Sequence, residues 1–276
     1  MAKKKQHYVP RFYLKCFTSN NSDQLFVLDK ESNKIFQKNV LEVCEQNYYY
    51  SYKENDSCYE AYNFMVEDNL AKKEHEFGIV FDKIINNIEG HYYHSKNINR
   101  LIHKDKLVLL EFLYYQTLRV PKYIDKLYIN GVTFLKKLNK KYNYVQTKKE
   151  MINYIKKILF PMLFDNIHEF ISIMNKRNWA FFIIDKNINE YFISSDNPVI
   201  IVNSEINVEK VGIIDPMTEI SIPISNKILL SIRETYINYK QEYHVISSTD
   251  RIRAINSLIK DNSMRFVYSG KEYLLK

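Results

Sequence analysis

Apolar and polar positions change period four times along this chain. Gln24-Leu25-Phe26-Val27-Leu28-Asp29 and Lys34-Ile35-Phe36-Gln37 alternate on a period of two around Lys30-Glu31-Ser32-Asn33, which predicts a β-hairpin. Tyr48 to Tyr52 reads as a further short strand or an aromatic plug. From about Glu60 to Glu89 the steps become three and four, through Phe64, Leu70, Phe77, Phe81, Ile84, Ile85 and Ile88, and predict a long helix with Gly90 placed to end it. A second helix is expected from about Lys104 to Leu118. Val120-Pro121 stops it, because the residue before proline avoids helical dihedrals. Helix is expected again over roughly 122–139, 148–158 and 164–175, with a break at Pro161. From Trp179 onward the pattern turns to strands: Trp179–Ile184, Tyr191–Ser194, Val199–Val202, Glu219–Ile224 and Lys227–Arg233. A late helix, Thr249–Lys260, then precedes a terminal strand, Arg265–Tyr268.

Helices massed centrally with strands at both ends predict an α+β fold rather than alternating α/β. The expected architecture is a central helical bundle packed on a mainly antiparallel sheet, built from the N-terminal hairpin and the C-terminal strands. No internal repeat or linker interrupts the chain. We therefore expect one domain over 1–276, with a β-hairpin region (1–52), a helical region (53–176) and a β-rich region with a late helix (177–276).

Composition narrows the functional classes. Gly numbers only 5 against 23 Tyr and 16 Phe, so the core is expected to be aromatic-rich. No run of about 18 apolar residues exists, which argues against a membrane span. Met1-Ala2-Lys3-Lys4-Lys5 leads into Gln6-His7-Tyr8 rather than an apolar core, unlike a secretory signal. Cys16, Cys44 and Cys58 are odd in number and lack Cys-x-x-Cys spacing, against a disulfide framework or a four-ligand zinc site. A cytoplasmic location is expected. The net charge of +8 invites an RNA or DNA partner. Only eight of the 40 basic residues are Arg, so the excess also reads as plain Lys-rich composition.

Several residues qualify for chemistry. Gln6-His7-Tyr8-Val9-Pro10-Arg11-Phe12-Tyr13-Leu14 crowds ionisable and aromatic groups where chain ends usually fray. It must be tied down, with His7 (acid, base or ligand) and Arg11 (substrate binding) on a partly buried segment. Glu67 and Glu74 lie seven apart with Leu70 and Phe77 interleaved. Seven residues fall about 20° short of two turns, so both carboxylates share one stripe with apolar neighbours. Carboxylates aimed at a core need cations, donors or a metal, whereas nearby Lys72, Lys73 and Glu76 offer a solvated alternative. Gln116 and Arg119 stand one turn apart just before Pro121. Arg119 there either pairs with an inward Glu, clamps a phosphate or caps the last carbonyls of its helix. In Ser194-Ser195-Asp196-Asn197-Pro198-Val199, Asp196 either projects into a cleft or makes an Asx turn. Walker and dinucleotide fingerprints are missing.

Taken together, these segments resemble the bacterial domain-of-unknown-function family 4238. Gln6 to Leu14 with Phe17 looks like its opening signature, and Asn39-Val40 with Asn47-Tyr48-Tyr49 is similar to its next segment. Glu67, Leu70-Ala71 and Glu74 look like its acidic helix, and Gln116 with Arg119-Val120-Pro121 like its Arg-x-Pro element. Ser194 to Val199 is similar to its Ser-Asp-x-Pro-Val motif, and Ile222-Pro223-Ile224-Ser225 stands where a Pro-Leu-Ser-Pro run is typical. The resemblance implies kinship over nearly the whole chain and brings no activity with it.

Three functional readings follow, the least favoured being a small-molecule enzyme that uses the same polar cluster as a ligand pocket. In the leading one the protein is a metal-dependent nuclease acting on RNA or DNA, of the kind used as a phage-defence or toxin-type effector. Glu67, Glu74 and Asp196 would hold Mg²⁺ or Mn²⁺, His7 would move a proton, and Arg11, Gln116 and Arg119 would engage the substrate. In the alternative, the same Glu/Arg network is structural, and the chain is a non-catalytic module binding nucleic acid or protein.

Overall fold

The computed structural model describes residues 4–19, 22–53, 62–94, 101–142, 147, 150, 152–154, 156–157, 167–203, 215, 217–233 and 243–276. Near the N-terminus, β1 (Lys5–His7) precedes a short helix α1 (Arg11–Lys15). The hairpin follows as β2 (Gln24–Asp29) and β3 (Lys34–Asn39), with Asn33 closing the turn at φ 51°. A single 3₁₀ turn, Val40–Glu42, leads to β4 (Glu45–Asn47), which pairs antiparallel with β1. Strands β5 (Tyr52–Lys53) and β6 (Tyr62–Asn63) form a minimal ladder.

The helices then run as α2 (Met65–His94), α3 (His103–Leu118), α4 (Pro121–Tyr142) and α5 (Ile167–Met174). Gly90 does not end α2, contrary to its expected role. A Cβ there would meet nothing within 4 Å, and Tyr92 packs on the core one half-turn later. That anchor outweighs the roughly 1 kcal/mol by which glycine disfavours helix. Pro121 both stops α3 and opens α4, where its fixed φ suits a first helical position. α3 is buried almost all round, from Val108 to Gln116, because α2, α4 and α5 all pack on it. Of the helix expected over 148–158, residues 150, 152–154 and 156–157 are described and are helical, whereas 161–166 lie outside the described residues.

The remaining elements are β7 (Asn178–Ile184), β8 (Ser194–Ser195), β9 (Ile200–Asn203), β10 (Thr218–Pro223), β11 (Ile228–Arg233), β12 (Tyr243–Ile246), α6 (Thr249–Asn262) and β13 (Phe266–Ser269). The fold is α+β, as expected, with mostly antiparallel strands. The hairpin does join C-terminal strands, in a four-stranded sheet ordered β3-β2-β13-β8. The other C-terminal strands form a second sheet, β12-β7-β11-β10-β9, in which only the β12–β7 pair is parallel. The chain passes from one sheet to the other between Ser195 and Ile200. The principal core runs from Tyr8 and Val9 through α2 and α3 to Ile232 and Tyr268, and is rich in Tyr and Phe as the composition required. No described helix is long and apolar enough to cross a membrane.

Candidate functional site

The strand β1 is short, yet held from both sides. Gln6 is fully buried; its Nε2 donates to Ser51 Oγ at 2.9 Å and its Oε1 accepts from the Tyr50 amide at 2.7 Å. Period-two alternation then turns Lys5 and His7 together to the opposite face. The register sets His7 against Glu45. Cys44 and Tyr48, at φ 53° and 52°, bracket β4 in the left-handed region that non-glycine residues rarely adopt. Backbone bonds flank these bends: Tyr8 donates to the Cys44 carbonyl at 2.9 Å and Tyr48 to the Lys4 carbonyl at 2.8 Å.

Across from this strand, α2 presents Glu67, Ala71 and Glu74 at i, i+4 and i+7, while Val66, Leu70 and Phe77 point into the core. The small Ala71 between the two acids leaves room. Lys4, Lys5, His7, Arg11, Leu41, Glu45, Glu67, Ala71 and Glu74 thus line one open cavity of about 540 Å³. Four residues singled out in the sequence, namely His7, Arg11, Glu67 and Glu74, meet here from three separate elements.

Behind Glu74 lies a buried polar chain. Arg119, only 1% exposed, donates from Nη1 to Glu74 Oε1 at 2.8 Å and from Nε to Gln116 Oε1 at 2.9 Å. Gln116 in turn donates to the Tyr8 carbonyl at 3.1 Å. Arg119 Nη2 is buried without an acceptor in hydrogen-bonding geometry. Of the alternatives open in the sequence, Arg119 takes the pairing with an inward Glu. Neither Gln116 nor Arg119 lines the cavity, so the substrate-contacting roles expected of them are replaced by positioning: they fix Glu74 and tie α3 to the N-terminal segment.

Asp196 is a correction. Its carboxylate accepts the amides of Met264 (2.8 Å), Arg265 (2.8 Å) and Phe266 (2.9 Å), and it is 3% exposed. Burial raises its pKa and these three N–H groups oppose that rise. It clamps the turn entering β13 and does not line the cavity. The expected ligand trio of Glu67, Glu74 and Asp196 is therefore not assembled. Among the described residues no three His, Cys, Asp or Glu side chains come together to hold a metal ion. Glu45 is engaged by Lys5 Nζ at 2.5 Å and Glu74 by Arg119. The donor set as arranged does not fit a Mg²⁺ or Mn²⁺ clamp.

Electrostatics in the cavity are mixed. Burial first, and the Arg11 guanidinium second, lower the His7 pKa to about 4, while Glu45 and the Leu41 carbonyl act the other way. The imidazole is neutral near pH 7. Nε2 is buried and has no hydrogen-bond partner among the described residues. Lys4, Lys5 and Glu45 were missed in the sequence. The Lys3-Lys4-Lys5 run looks like the basic start of a leader, although period two from His7 already places Lys5 beside it.

A family model described as a protein of unknown function (DUF4238) matches residues 5–272, from β1 to the last turn after β13. The chain belongs to that family. No curated protein and no solved structure matches it.

Proposed function

We propose that the cavity bounded by β1, α1 and α2 is the active site of a nuclease-like enzyme that cleaves phosphodiester bonds in RNA or DNA. The observation that supports this most directly is the convergence of Lys4, Lys5 and Arg11 with a neutral imidazole and the carboxylates of Glu67 and Glu74 in one cavity. Cations at the rim attract phosphate, and Arg11 offers a planar fork suited to its oxygens. His7 enters the reaction unprotonated and accepts the proton of an attacking water through Nε2. That nitrogen is shielded from water in the free protein, so the ligand must displace its cover. A phosphate beside Arg11 cancels the charge that helps depress His7, raising its basicity as substrate binds. Glu74, held by Arg119, and Glu67 orient water or accept hydroxyl donors. The role of a defence or toxin-type effector belongs to this same reading.

A non-catalytic reading is favoured by one observation: Gln116, Arg119 and Asp196 all spend their side chains on internal bonds that hold the fold. Labelled single-stranded RNA and DNA, incubated with the wild type, His7→Gln and Glu67→Gln in Mg²⁺, Mn²⁺ or chelator, separates the two. Cleavage by the wild type that both folded variants lose supports the nuclease. Salt-sensitive binding without product supports the module. Loss of cleavage in chelator would restore the metal, with Glu67 and Glu74 as its first ligands.

A further inference from the structure

Building on that reading, we propose that the cavity takes the terminal phosphomonoester of one nucleotide unit, on a strand end or free, and does not read the base. Its volume of about 540 Å³ lies in the range of roughly 300–1,000 Å³ that encloses one small ligand rather than a running strand or a duplex. Its inner side is backed by the buried Glu74–Arg119–Gln116–Tyr8 chain.

The lining holds no Phe, Tyr or Trp. The neighbouring rings of Tyr8 and Tyr50 are turned into the core. Base stacking, which contributes on the order of five- to hundredfold in affinity per base, therefore has no platform beyond the His7 ring. What the lining does offer is charge. Lys5 is engaged by Glu45, whereas Lys4 and Arg11 make no side-chain ion pair among the described residues. Two unspent cations match the dianion of a phosphomonoester better than the single charge of an internal phosphodiester. The carboxylates of Glu45, Glu67 and Glu74 would repel phosphates beyond the terminal one and the diester next to it, but accept hydrogen bonds from sugar hydroxyls.

The test is equilibrium binding by fluorescence anisotropy at one fixed salt concentration. The probes are one single-stranded sequence in four forms: 5′-phosphorylated, 3′-phosphorylated, unphosphorylated and circular. The four nucleoside monophosphates serve as competitors. One phosphorylated end is expected to bind about tenfold or more tightly than the circle and the unphosphorylated strand, the yield of one charge-assisted contact. The four monophosphates should compete within about threefold of one another. Lys4→Ala and Arg11→Ala should bring the phosphorylated strand down to the unphosphorylated level with unchanged melting temperature. Competition by free monophosphates without end preference in strands would identify the free nucleotide as the source. A circle bound as tightly as the phosphorylated ends, a tenfold preference for one base, or no binding of any probe overturns the inference. Because binding is read without turnover, end-selective binding with no cleavage retires the nuclease alone. His7-dependent cleavage of circles retires the end selection alone.

Discussion

Replacing Arg119 by Met measures how firmly the back of the cavity is held. The guanidinium donates to Glu74 Oε1 at 2.8 Å and to Gln116 Oε1 at 2.9 Å. Methionine keeps much of the apolar stem, so little aliphatic contact is lost. What disappears is a charge-assisted bond, about 1.5–3 kcal/mol, and the donor to a fully buried amide oxygen, about 1–3 kcal/mol. Two effects offset part of this. Glu74 retains 28% exposure, so water recovers some of its carboxylate. The bare Nη2 of the native protein is a cost that the variant no longer carries. The expected net loss is about 3 kcal/mol, at the lower edge of what breaking one side of a buried pair costs. In a chain of this size that lowers Tm by about 6–10 °C. The assay is urea unfolding of the wild type, Arg119→Met, Glu74→Gln and the double variant, with the denaturant slope checked for constancy. A coupling of about 1–2 kcal/mol between positions 119 and 74 is expected. A loss below about 1 kcal/mol in Arg119→Met, or a coupling within about 0.5 kcal/mol of zero, refutes the idea that this pair holds the site.

Three further outcomes are expected. The His7 imidazole titrates at about 4 in the native protein and near ~6.5 when unfolded. The unfolded chain therefore takes up the proton first, and stability present above pH 6.5 falls by up to about 3 kcal/mol as pH drops to 4, then levels off. Thermal melts of wild type and His7→Gln from pH 7 to 4 check this; parallel curves would contradict it. Asp196→Asn leaves three buried amides sharing one neutral oxygen and should cost about 3 kcal/mol, with nucleotide binding by the folded protein unchanged. Weaker binding at unaltered Tm would return Asp196 to the site. Gly270→Ala places a Cβ 2.6 Å from the Phe17 carbonyl oxygen, a backbone atom that cannot swing aside. Calorimetry should show about 1–3 kcal/mol of destabilisation, and a wild-type melting curve would show that the approach is looser than drawn.

Much of the frame was legible because its signals are local. Period two in Gln24–Asp29, period three to four around Phe77 and Phe81, and Pro121 all act within a few residues of the structure they specify. Gly90 misled for the same reason: the propensity is local, but the packing of Tyr92 that overrides it is not. Strand β12 escaped notice because Tyr243–Ile246 gains its partner only through a parallel pairing with β7, some sixty residues away. The candidate site divides likewise. The shared stripe of Glu67 and Glu74 follows from helical geometry alone. Asp196 could not be placed that way. An aspartate that receives three amides and one that faces a cleft have the same sequence neighbours, and the choice depends on where Met264 to Phe266 arrive in space.

The pairing of β2 with β13 carries a consequence for how the chain is made. Asp29 faces Phe266 across that ladder, 237 residues further along. A ribosome adding about 5–20 residues per second emits the hairpin roughly 12–50 s before its second neighbour exists. Throughout that interval the inner edge of Gln24–Asp29 offers unpaired amides beside Leu25 and Val27, an invitation to neighbouring nascent chains. Truncations that remove only the last dozen residues should therefore yield insoluble material, and synthesis slowed late in the message should raise the demand for holdase chaperones.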